Sequence, residues 1–543
     1  MEKNEGDFIL TWNSGNIQIR KNLLLGIDIG TSSVKAVLID TEGHVVSESS
    51  HENSLLVPHP GWAEESPQDW WKNTLLTVSD CLAHPNVSPE QIIGIGTTGM
   101  VPALVLLDCD RKPLRPSIQQ NDARSAAEIF EFKEKYDPQR FFQITGSSLS
   151  QQSIGPKLVW LRRYEPQLWE KVHLILGSYD YINLCMSGTP SLEMNWALES
   201  GLFDINTQDW SDQLLDLFGI ESNLFPPIHH PSDLIGKLTT ESASMMGLVP
   251  GTPVVAGSAD HVAAALSAGI QDEGDLLVKF GSAGDILYNC DQAVTDQRLF
   301  IDYHDIPGKY LLNGCMASSG SLLRWVVEQF CQADISDAQR VQMDIYQYLD
   351  GKAEAISPGS EGVIILPYFL GEKTPVFDAQ ARGIFFGLTL FHTRYHLYRA
   401  VLEAVVYGFK HHVKILHQLG LPVKRVLISE GGAKSPLWRQ ITADALNCPV
   451  NFLKENPGAA LAAAFIAGMG VGAFESWGDI NKFIQVDSIT YPDPKNLEIY
   501  EHGFEIYLAI YQNLKPTFQQ AAAQRKKGYS SLEAAVVAEP GQI

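Results

Sequence analysis

LLLGIDIGTSSVKAVLID, residues 23–40, is the stretch that decides the fold. An apolar run at residues 23–29 leads into a turn of small polar residues, and a second β-rich run follows at residues 34–39. A further short turn at residues 41–43 leads to a third run. Short turns between such runs predict a meander of three adjacent strands.

The first turn has the chemistry of a phosphate site. Gly30, Thr31 and Ser32 offer backbone N–H groups and hydroxyls, and Asp28 places a carboxylate close by. A phosphate needs such donors, and its Mg²⁺ needs a hard oxygen ligand. The turn is not a G-x-x-x-x-G-K-[ST] loop, and no helix follows it directly. On this motif alone, an ordinary hairpin in a sheet is the alternative.

Length and charge limit the classes of function. The chain has 543 residues, of which 45% are hydrophobic and 19% charged, so it can form two sizeable cores in separate domains. A net charge of −23 repels nucleic acid and anionic lipid, so we expect neither as a partner. The same charge disfavours anionic substrates unless a local site overrides it.

Cysteine usage and the absence of apolar segments indicate a cytoplasmic protein. The seven cysteines show no C-x-x-C spacing, which favours reduced thiols over disulfides or a zinc site. Residues 1–20 contain no apolar signal-peptide core. No apolar run reaches the roughly 18 residues that suggest a membrane span.

Residues 275–289, DLLVKFGSAGDILYN, repeat the opening pattern. A strand enters a turn at Gly281 and Ser282, and another strand leaves it. Two such units about 250 residues apart indicate an internal duplication, with each half supplying one phosphate turn to a shared cleft. Lys279, before the second turn, either contacts phosphate or pairs with an acid.

The duplication sets the predicted domain limits. We expect a boundary near residues 268–274, because GIQDEG is typical of a linker. The prediction is an N-terminal extension at residues 1–22, a first domain at 23–270, a second domain at 271–518 and a partly disordered tail at 519–543.

Two further stretches suggest site residues. In VVAGSADH, residues 254–261, a strand ends in small residues, and Asp260 and His261 then open a helix. Asp260 therefore lies at the edge of a cleft or merely caps the helix. Residues 425–436, RVLISEGGAKSP, join a strand, a glycine pair and a helix, as many nucleotide sites do.

Taken in order, these motifs resemble the FGGY family of carbohydrate kinases from about residue 23 to residue 511. The xylulokinase-like branch is the most similar, because PYFLGEKTP and GGAKSPLWRQI are typical of it. The other matching segments are PGWAEESPQDWW, GTTGM, QNDAR, GSADH, FGSAGDILYN, GIFFGLT and NPGAALAAAFIAG.

The resemblance implies an α/β protein with two ribonuclease-H-like domains of the actin and hexokinase type, flanking a central cleft. It implies Mg²⁺- and ATP-dependent phosphorylation of a sugar hydroxyl, with Asp260 as the base and Asp28 holding Mg²⁺. The residues that it implies at the phosphates are Gly30, Thr31, Ser32, Gly281 and Ser282. Those that it implies at adenosine are Gly431, Gly432, Ala433 and Ser435, and those at the sugar are Asp122 and Arg124.

One segment departs from the family pattern. Xylulokinases usually read Gly-Gln-Met-His-Gly where this chain reads GMVPA, residues 99–103. We expect Met100, Val101 and Pro102 beside the sugar, with one sugar hydrogen bond absent or supplied elsewhere. D-xylulose and D-ribulose are the leading acceptors, and erythritol or glycerol are alternatives.

Two other classes compete with a sugar kinase. One is a non-catalytic sensor of sugar or nucleotide, and the other is an actin- or Hsp70-like ATPase of the same fold. Retention of Asp28, Asp260 and both turns disfavours the sensor, and the sugar-side segments disfavour the ATPase. A small-molecule sugar and ATP are the expected partners, and a homodimer is left open.

Overall fold

The computed structural model describes residues 22–537, with side chains described for residues 22–524. The predicted meander is confirmed. Strand β1 (Leu23–Ile29) pairs antiparallel with β2 (Ser33–Asp40), which pairs antiparallel with β3 (Val45–Glu52). Every residue of β1 except Asp28 is buried, because β1 lies inside the sheet and a helix covers it.

Four more strands complete the first sheet: β4 (Ile92–Gly99), β5 (Leu234–Lys237), β6 (Pro253–Val255) and β7 (Ser258–Ala259). Their order is β5-β6-β4-β1-β2-β3, and β7 also pairs with β4. Because β4 runs parallel to β1, the ends of β1, β4 and β7 meet at one edge of the sheet. Asp260 follows β7 at that edge.

The second sheet has seven strands: β8 (Asp275–Phe280), β9 (Gly284–Cys290), β10 (Phe300–Tyr303), β11 (Tyr310–Met316), β12 (Arg425–Ser429), β13 (Val450–Leu453) and β14 (Val486–Thr490). Their order is β10-β11-β9-β8-β12-β13-β14. Strand β8 pairs antiparallel with β9 and parallel with β12, as β1 pairs with β2 and β4.

The matching strand orders agree with an internal duplication, but one pair of charges is exchanged between the halves. Across the β1–β2 pair, Asp28 lies opposite Lys35. Across the β8–β9 pair, Lys279 lies opposite Asp285. The aspartate and the lysine have therefore changed places on equivalent strands.

Helices flank the sheets. Ser66 and Pro67 are a typical cap and first helical residue and predict a helix to about residue 82; helix α1 runs over residues 67–82, and Ser66 caps it by accepting from Asp69 N at 3.2 Å. The sequence also predicts a long helix at residues 396–414, and the observed helix is longer by a few residues at each end. The first ten helices are α1 (Pro67–Leu82), α2 (Ala126–Lys135), α3 (Pro138–Thr145), α4 (Ile154–Tyr164), α5 (Pro166–Trp169), α6 (Ser178–Ser187), α7 (Met194–Glu199), α8 (Asp212–Phe218), α9 (Thr240–Met246) and α10 (Asp260–Ser267).

The second half adds seven helices, and short two-stranded sheets lie outside the two large ones. The helices are α11 (Gly320–Phe330), α12 (Gln332–Arg340), α13 (Ile345–Ala353), α14 (Arg394–Gln418), α15 (Pro436–Leu446), α16 (Ala459–Gly470) and α17 (Leu497–Val537). The small sheets pair Glu64–Glu65 with Ser117–Ile118, Val105–Leu107 with Leu174–Leu176, Leu192–Glu193 with Ile228–His229, Phe203–Asp204 with Asp209–Trp210, and Ile364–Leu366 with Ile384–Phe386.

Helix α16 joins the two halves. It comes from the second half of the chain but packs on β1 and β4 of the first sheet. Gly26 and Gly96 allow this, because a Cβ on them would lie 2.0 Å from Ala460 O and 2.1 Å from Ala463 O. Helix α10 packs against α16 as well, so a shared apolar core connects the halves beneath the cleft.

The C-terminal region differs from the prediction. Residues 519–537, expected to be partly disordered, continue helix α17. Residues 538–543 of the predicted tail, and nearly all of the predicted extension at 1–22, lie outside the described residues. Within residues 22–537, no helix has both the length and the hydropathy that a bilayer-spanning segment requires.

Candidate active site

A cavity of about 1640 Å³ is lined by residues of both halves. This volume exceeds the roughly 300–1,000 Å³ of a pocket for one small ligand, so two ligands can share it. Its ionisable lining includes Asp28, Asp260, Lys279, Asp285 and Glu430. The structure thus brings together Asp28, Asp260 and the end of each strand that enters a predicted phosphate turn.

Asp28 is the one polar residue in β1. Its Oδ1 is buried and accepts no hydrogen bond from the described residues. Burial raises the pKa of Asp28 to about 7, and the negative charge of Asp260 adds to the rise, while Lys35 and Lys279 oppose it. A carboxylate in this state lacks a positive partner, which is the condition that a bound cation would relieve.

Asp260 opens helix α10 at the edge of the first sheet. The side chain of Asp260 is 36% exposed and faces the cavity. The capping alternative is wrong, because Ala259 occupies the N-cap position and no side chain caps this helix. The Asp260 side chain is therefore not the helix cap, and its exposed face can meet a ligand.

Lys279 occupies, on β8, the position that Asp28 holds on β1. Its Nζ lies 3.1 Å from Glu430 Oε1, which confirms that it pairs with an acid. Burial opposes the charge of Lys279, but Asp285, Glu430 and Asp260 outweigh it and raise the lysine pKa above its ordinary value. Lys279 also lines the cavity, so contact with phosphate is still an open alternative.

The two predicted phosphate turns lie beside the cavity and not in its wall. Thr31, Ser32 and Ser282 are exposed, and Gly30 and Gly281 are half-buried. The second turn is held from behind, since Ser319 N and Ser321 N donate to Ser282 O at 3.0 and 3.1 Å. Both turns therefore present their outer faces to solvent next to Asp28 and Lys279.

The predicted adenosine segment begins a helix. Gly431–Lys434 forms a short 3₁₀ turn, and Ser435 caps α15 by accepting from Trp438 N at 3.0 Å. Ala433 is buried, and a Cβ on Gly432 would lie 2.7 Å from the Trp438 ring, so both are packing positions. A Cβ on Gly431 would meet open space, so a ligand can approach the exposed backbone of Gly431.

On the sugar side, Val101 reaches the cavity wall. Met100 and Pro102 are buried and do not line the cavity. Met100 is instead part of the packing below the first turn, where Thr31 Oγ1 lies 4.0 Å from its sulfur. Of the three residues predicted beside the sugar, the structure places only Val101 where a ligand could touch it.

Asp122 and Arg124 form a buried network behind the wall. Two nitrogens of Arg124 each donate to Asp122 at 2.8 Å, and Arg124 Nη2 donates to Glu64 at 2.6 Å. The guanidinium also stacks over Trp62 at 3.9 Å. Neither Asp122 nor Arg124 lines the cavity, but Gln120, two residues before Asp122 in the chain, does.

Sequence reasoning missed several cavity residues. Glu199, Asp302 and Asn313 line the cavity near His261, and Asp285 lines it opposite Lys279. Lys373 lines it as well, and its Nζ lies 3.6 Å from Cys315 Sγ. They come from elements far apart in the chain, so no local motif groups them. The one sequence signal was an acid in the otherwise apolar strand Phe300–Tyr303.

Comparison with known proteins gives a consistent result. Residues 23–267 match the N-terminal domain of the FGGY family of carbohydrate kinases, and residues 291–471 match its C-terminal domain. The xylulose kinase of Bacillus subtilis (strain 168) is 31% identical over 495 residues, covering 91% of this chain and 97% of the relative.

More distant and structural relatives agree. The gluconokinase of the same Bacillus strain is 26% identical over 502 residues, covering 92% of this chain and 97% of the relative. The crystal structure of xylulose kinase from Rhodospirillum rubrum is 39% identical and has a TM-score of 0.86, covering 92% of this chain and 100% of that chain. The fold is therefore the two-domain α/β architecture of the actin and hexokinase type, and the chain belongs to the FGGY family of carbohydrate kinases as a sugar kinase.

Proposed function

We propose that this enzyme transfers the γ-phosphate of Mg-ATP to a hydroxyl of a neutral ketopentose or related polyol. D-xylulose and D-ribulose are the leading acceptors, supported by the xylulose kinase relatives. The observation that carries the proposal is the pair Asp28 and Asp260, which face one cavity between two strand–turn–strand units. A phosphotransferase needs one acid for the metal and another for the proton.

Asp260 is the proposed general base. It accepts the proton as the acceptor O–H bond breaks and the oxygen forms a bond to the γ-phosphorus. The bond from that phosphorus to the β-phosphate oxygen breaks, and ADP leaves. The exposure of Asp260 suits this role, since the carboxylate must reach a hydroxyl that arrives from the cavity.

Asp28 is the proposed Mg²⁺ ligand. The unpartnered, buried Oδ1 and the raised pKa fit a carboxylate that awaits a hard cation. When bound, Mg²⁺ would neutralise charge on the phosphates as it develops. The residues of this chain hold and orient that ion but do not react with it.

The remaining contacts are proposals of the same kind. The two turns would bind phosphate through backbone N–H groups and hydroxyls, and the segment before α15 would bind adenosine. Val101 would contact the sugar directly. Met100, Pro102, Asp122 and Arg124 would shape the sugar side from behind, because all four are buried. The phosphate and adenosine residues are Gly30, Thr31, Ser32, Gly281, Ser282, Gly431, Gly432, Ala433 and Ser435.

Three predictions concern the molecule beyond the site. A domain boundary near residues 268–274 falls between β7 and β8, the last strand of the first sheet and the first strand of the second. A homodimer and a cytoplasmic location also stay predictions.

Release of ADP with a panel of ketoses, polyols and aldonates tests the proposal. We expect turnover with one ketopentose or polyol and little ATP consumption without it. Asp260→Asn should lower kcat by roughly two to four decades. Asp212→Asn is a matched control, because Asp212 is the exposed first residue of another helix, α8, outside the cavity. Near-wild-type turnover of Asp260→Asn would remove Asp260 from the role of base.

A further inference from the structure

His261 lies where three carboxylates converge. Its Nε2 is 3.1 Å from Asp302 Oδ2 and 3.8 Å from Glu199 Oε1. Its Nδ1, on the other side of the ring, is 3.5 Å from Asp260 Oδ1. The imidazole therefore stands between the proposed base and two acids that the proposed reaction does not use.

These groups come from distant parts of the chain and are held in place. Asp260 and His261 open α10, Glu199 ends α7, and Asp302 lies on β10 of the second sheet. The side chain of Asp302 is 1% exposed, and Asn313 Nδ2 also donates to it at 3.4 Å. Asp302 thus fixes the ring of His261 across the two halves of the molecule.

The surroundings favour a positive charge on the ring. Burial opposes that charge, but Asp302, Asp260 and Glu199 together raise the pKa of His261 well above its ordinary value. Asp305 is a fourth carboxylate near the ring; burial raises its pKa to about 7. Burial and the charge of Asp302 raise the pKa of Glu199 strongly, so Glu199 is the weaker counter-ion.

A positive ring beside Asp260 offsets the repulsion between the carboxylates of Asp260 and Asp28. The carboxylates of Asp28 and Asp260 face one cavity and repel each other: after burial, the charge of Asp260 is the second cause that raises the pKa of Asp28. Lys279 is committed to Glu430 at 3.1 Å. His261 is the cation that lies directly against Asp260, and it is anchored on its far side.

We propose that His261, fixed by Asp302, is a positioning residue that stands as the cation against the Asp260 carboxylate and turns this carboxylate toward the acceptor hydroxyl. This inference rests on the proposed function of Asp260 and extends it to a chain of three residues, Asp302, His261 and Asp260. Asp302 supplies no proton to the acceptor; it acts only through the ring.

An NMR titration of the intact enzyme with ¹³C-labelled histidine tests the ion pair without any substrate. His261→Gln identifies the signal among the 15 histidines. We expect the wild-type ring to stay protonated well above the ordinary histidine pKa of about 6.5. In Asp302→Asn, which keeps the side-chain shape, the ring should lose its proton at lower pH. A neutral ring in the wild type at neutral pH would overturn the proposal.

Kinetics then test the effect on the base. In Asp302→Asn and in His261→Gln, the acidic limb of the kcat/KM profile should move to higher pH by about 0.5–1 unit, because a carboxylate without its cation takes up a proton more readily. We expect kcat to fall roughly tenfold to a hundredfold, while KM for ATP stays unchanged. The two substitutions together should cost little more than either alone, since they break one chain.

His51→Gln is the matched control. It breaks another histidine–aspartate contact, to Asp80 at 2.8 Å, but His51 does not line the cavity. It should leave kcat and the pH profile unchanged. An unmoved acidic limb, additive losses in the double variant, or a change confined to KM for the sugar would each overturn the positioning role. Failure of the proposed function looks different: no sugar in the panel would stimulate the wild-type enzyme.

Discussion

At the scale of the residue, Asp28 lowers the stability of the folded, metal-free protein. In the folded state it holds a proton up to about pH 7, whereas in the unfolded chain it releases that proton near 3.8. The folded state binds more protons between these values, so the contribution of Asp28 to stability falls as the pH rises through this window. A functional acid in a buried strand is costly unless a cation is bound.

Asp28→Asn should therefore stabilise the metal-free enzyme. At pH 7.5 with chelator present we expect the free energy of unfolding to rise by about 1–3 kcal/mol, an amount reduced because Asp28 is partly exposed to solvent. Differential scanning calorimetry from pH 4.5 to 8 checks it. The gain in Tm should be small at pH 4.5, grow up to about pH 7 and then level off. Mg²⁺ should raise the Tm of the wild type more than that of the variant, and a gain independent of pH would contradict the assignment.

Single residues were predictable only where a local motif marked them. Asp28 lies within an apolar run just before a turn, and Asp260 follows a strand at a helix start, so their positions in the cavity could be expected. The positions of Glu199 and Asp302 could not be predicted, because both residues contact His261 but lie about 60 and about 40 positions away from it in the chain. Met100 and Pro102 were expected at the sugar, but turn inward, since sequence does not show which side of an apolar turn faces the cavity.

At the scale of the element, the crossing of α16 over β1 and β4 is the most restrictive contact. Gly26 and Gly96 let the helix backbone approach so closely that a Cβ would overlap a carbonyl oxygen. The alanine-rich stretch at residues 458–468 predicts a packed helix, but it does not show that this helix lies on the sheet of the other half. That partner is set by the chain topology, which periodicity does not encode.

Gly96→Ala should separate α16 from the first sheet. A Cβ 2.1 Å from Ala463 O forces the backbone to move, and we expect a loss of about 1–3 kcal/mol or more. Thermal unfolding with circular dichroism measures it. Gly351→Ala is the control, because Gly351 lies in helix α13 and a Cβ there meets nothing within 4 Å. That variant should be neutral or slightly more stable. Equal Tm changes in both would contradict the close approach of α16 to β4.

At the scale of the whole molecule, two sheets share a cavity that is wide enough for both substrates and joined below by α10 and α16. The duplicated strand order was predictable from the repeated motif, since equivalent turns follow equivalent strands. We expect the halves to close when sugar binds, which excludes water from the transferred phosphate. Small-angle scattering should show a smaller radius of gyration with the correct sugar plus an unreactive ATP analogue than with the analogue alone. An unchanged radius would contradict closure.

The charge of the cavity also predicts which acceptors fail. The acids near Asp260 are Asp28, Glu199 and Asp302. The cation directly against Asp260 is His261, which Asp302 already binds at 3.1 Å, and Lys279 pairs with Glu430. One relative, 26% identical, is named a gluconokinase. Gluconate carries a carboxylate, which these acids would repel. We expect kcat/KM for gluconate at least tenfold below that for the preferred neutral sugar, as measured by ADP release. Comparable efficiencies would show that a cation elsewhere accepts the carboxylate.

The exchange of Asp28 and Lys35 for Lys279 and Asp285 has a consequence for direction. Two copies of one unit with identical charges would present equivalent faces, and an elongated anion could lie between them either way round. Asp28 lies on the strand that enters the turn of the first copy, and Lys279 lies on the equivalent strand of the second copy. The two faces therefore carry opposite charges at matched positions. A polyphosphate chain is then expected to lie in this cavity in one orientation only. The exchanged charges distinguish the two directions, which the duplicated backbone alone does not.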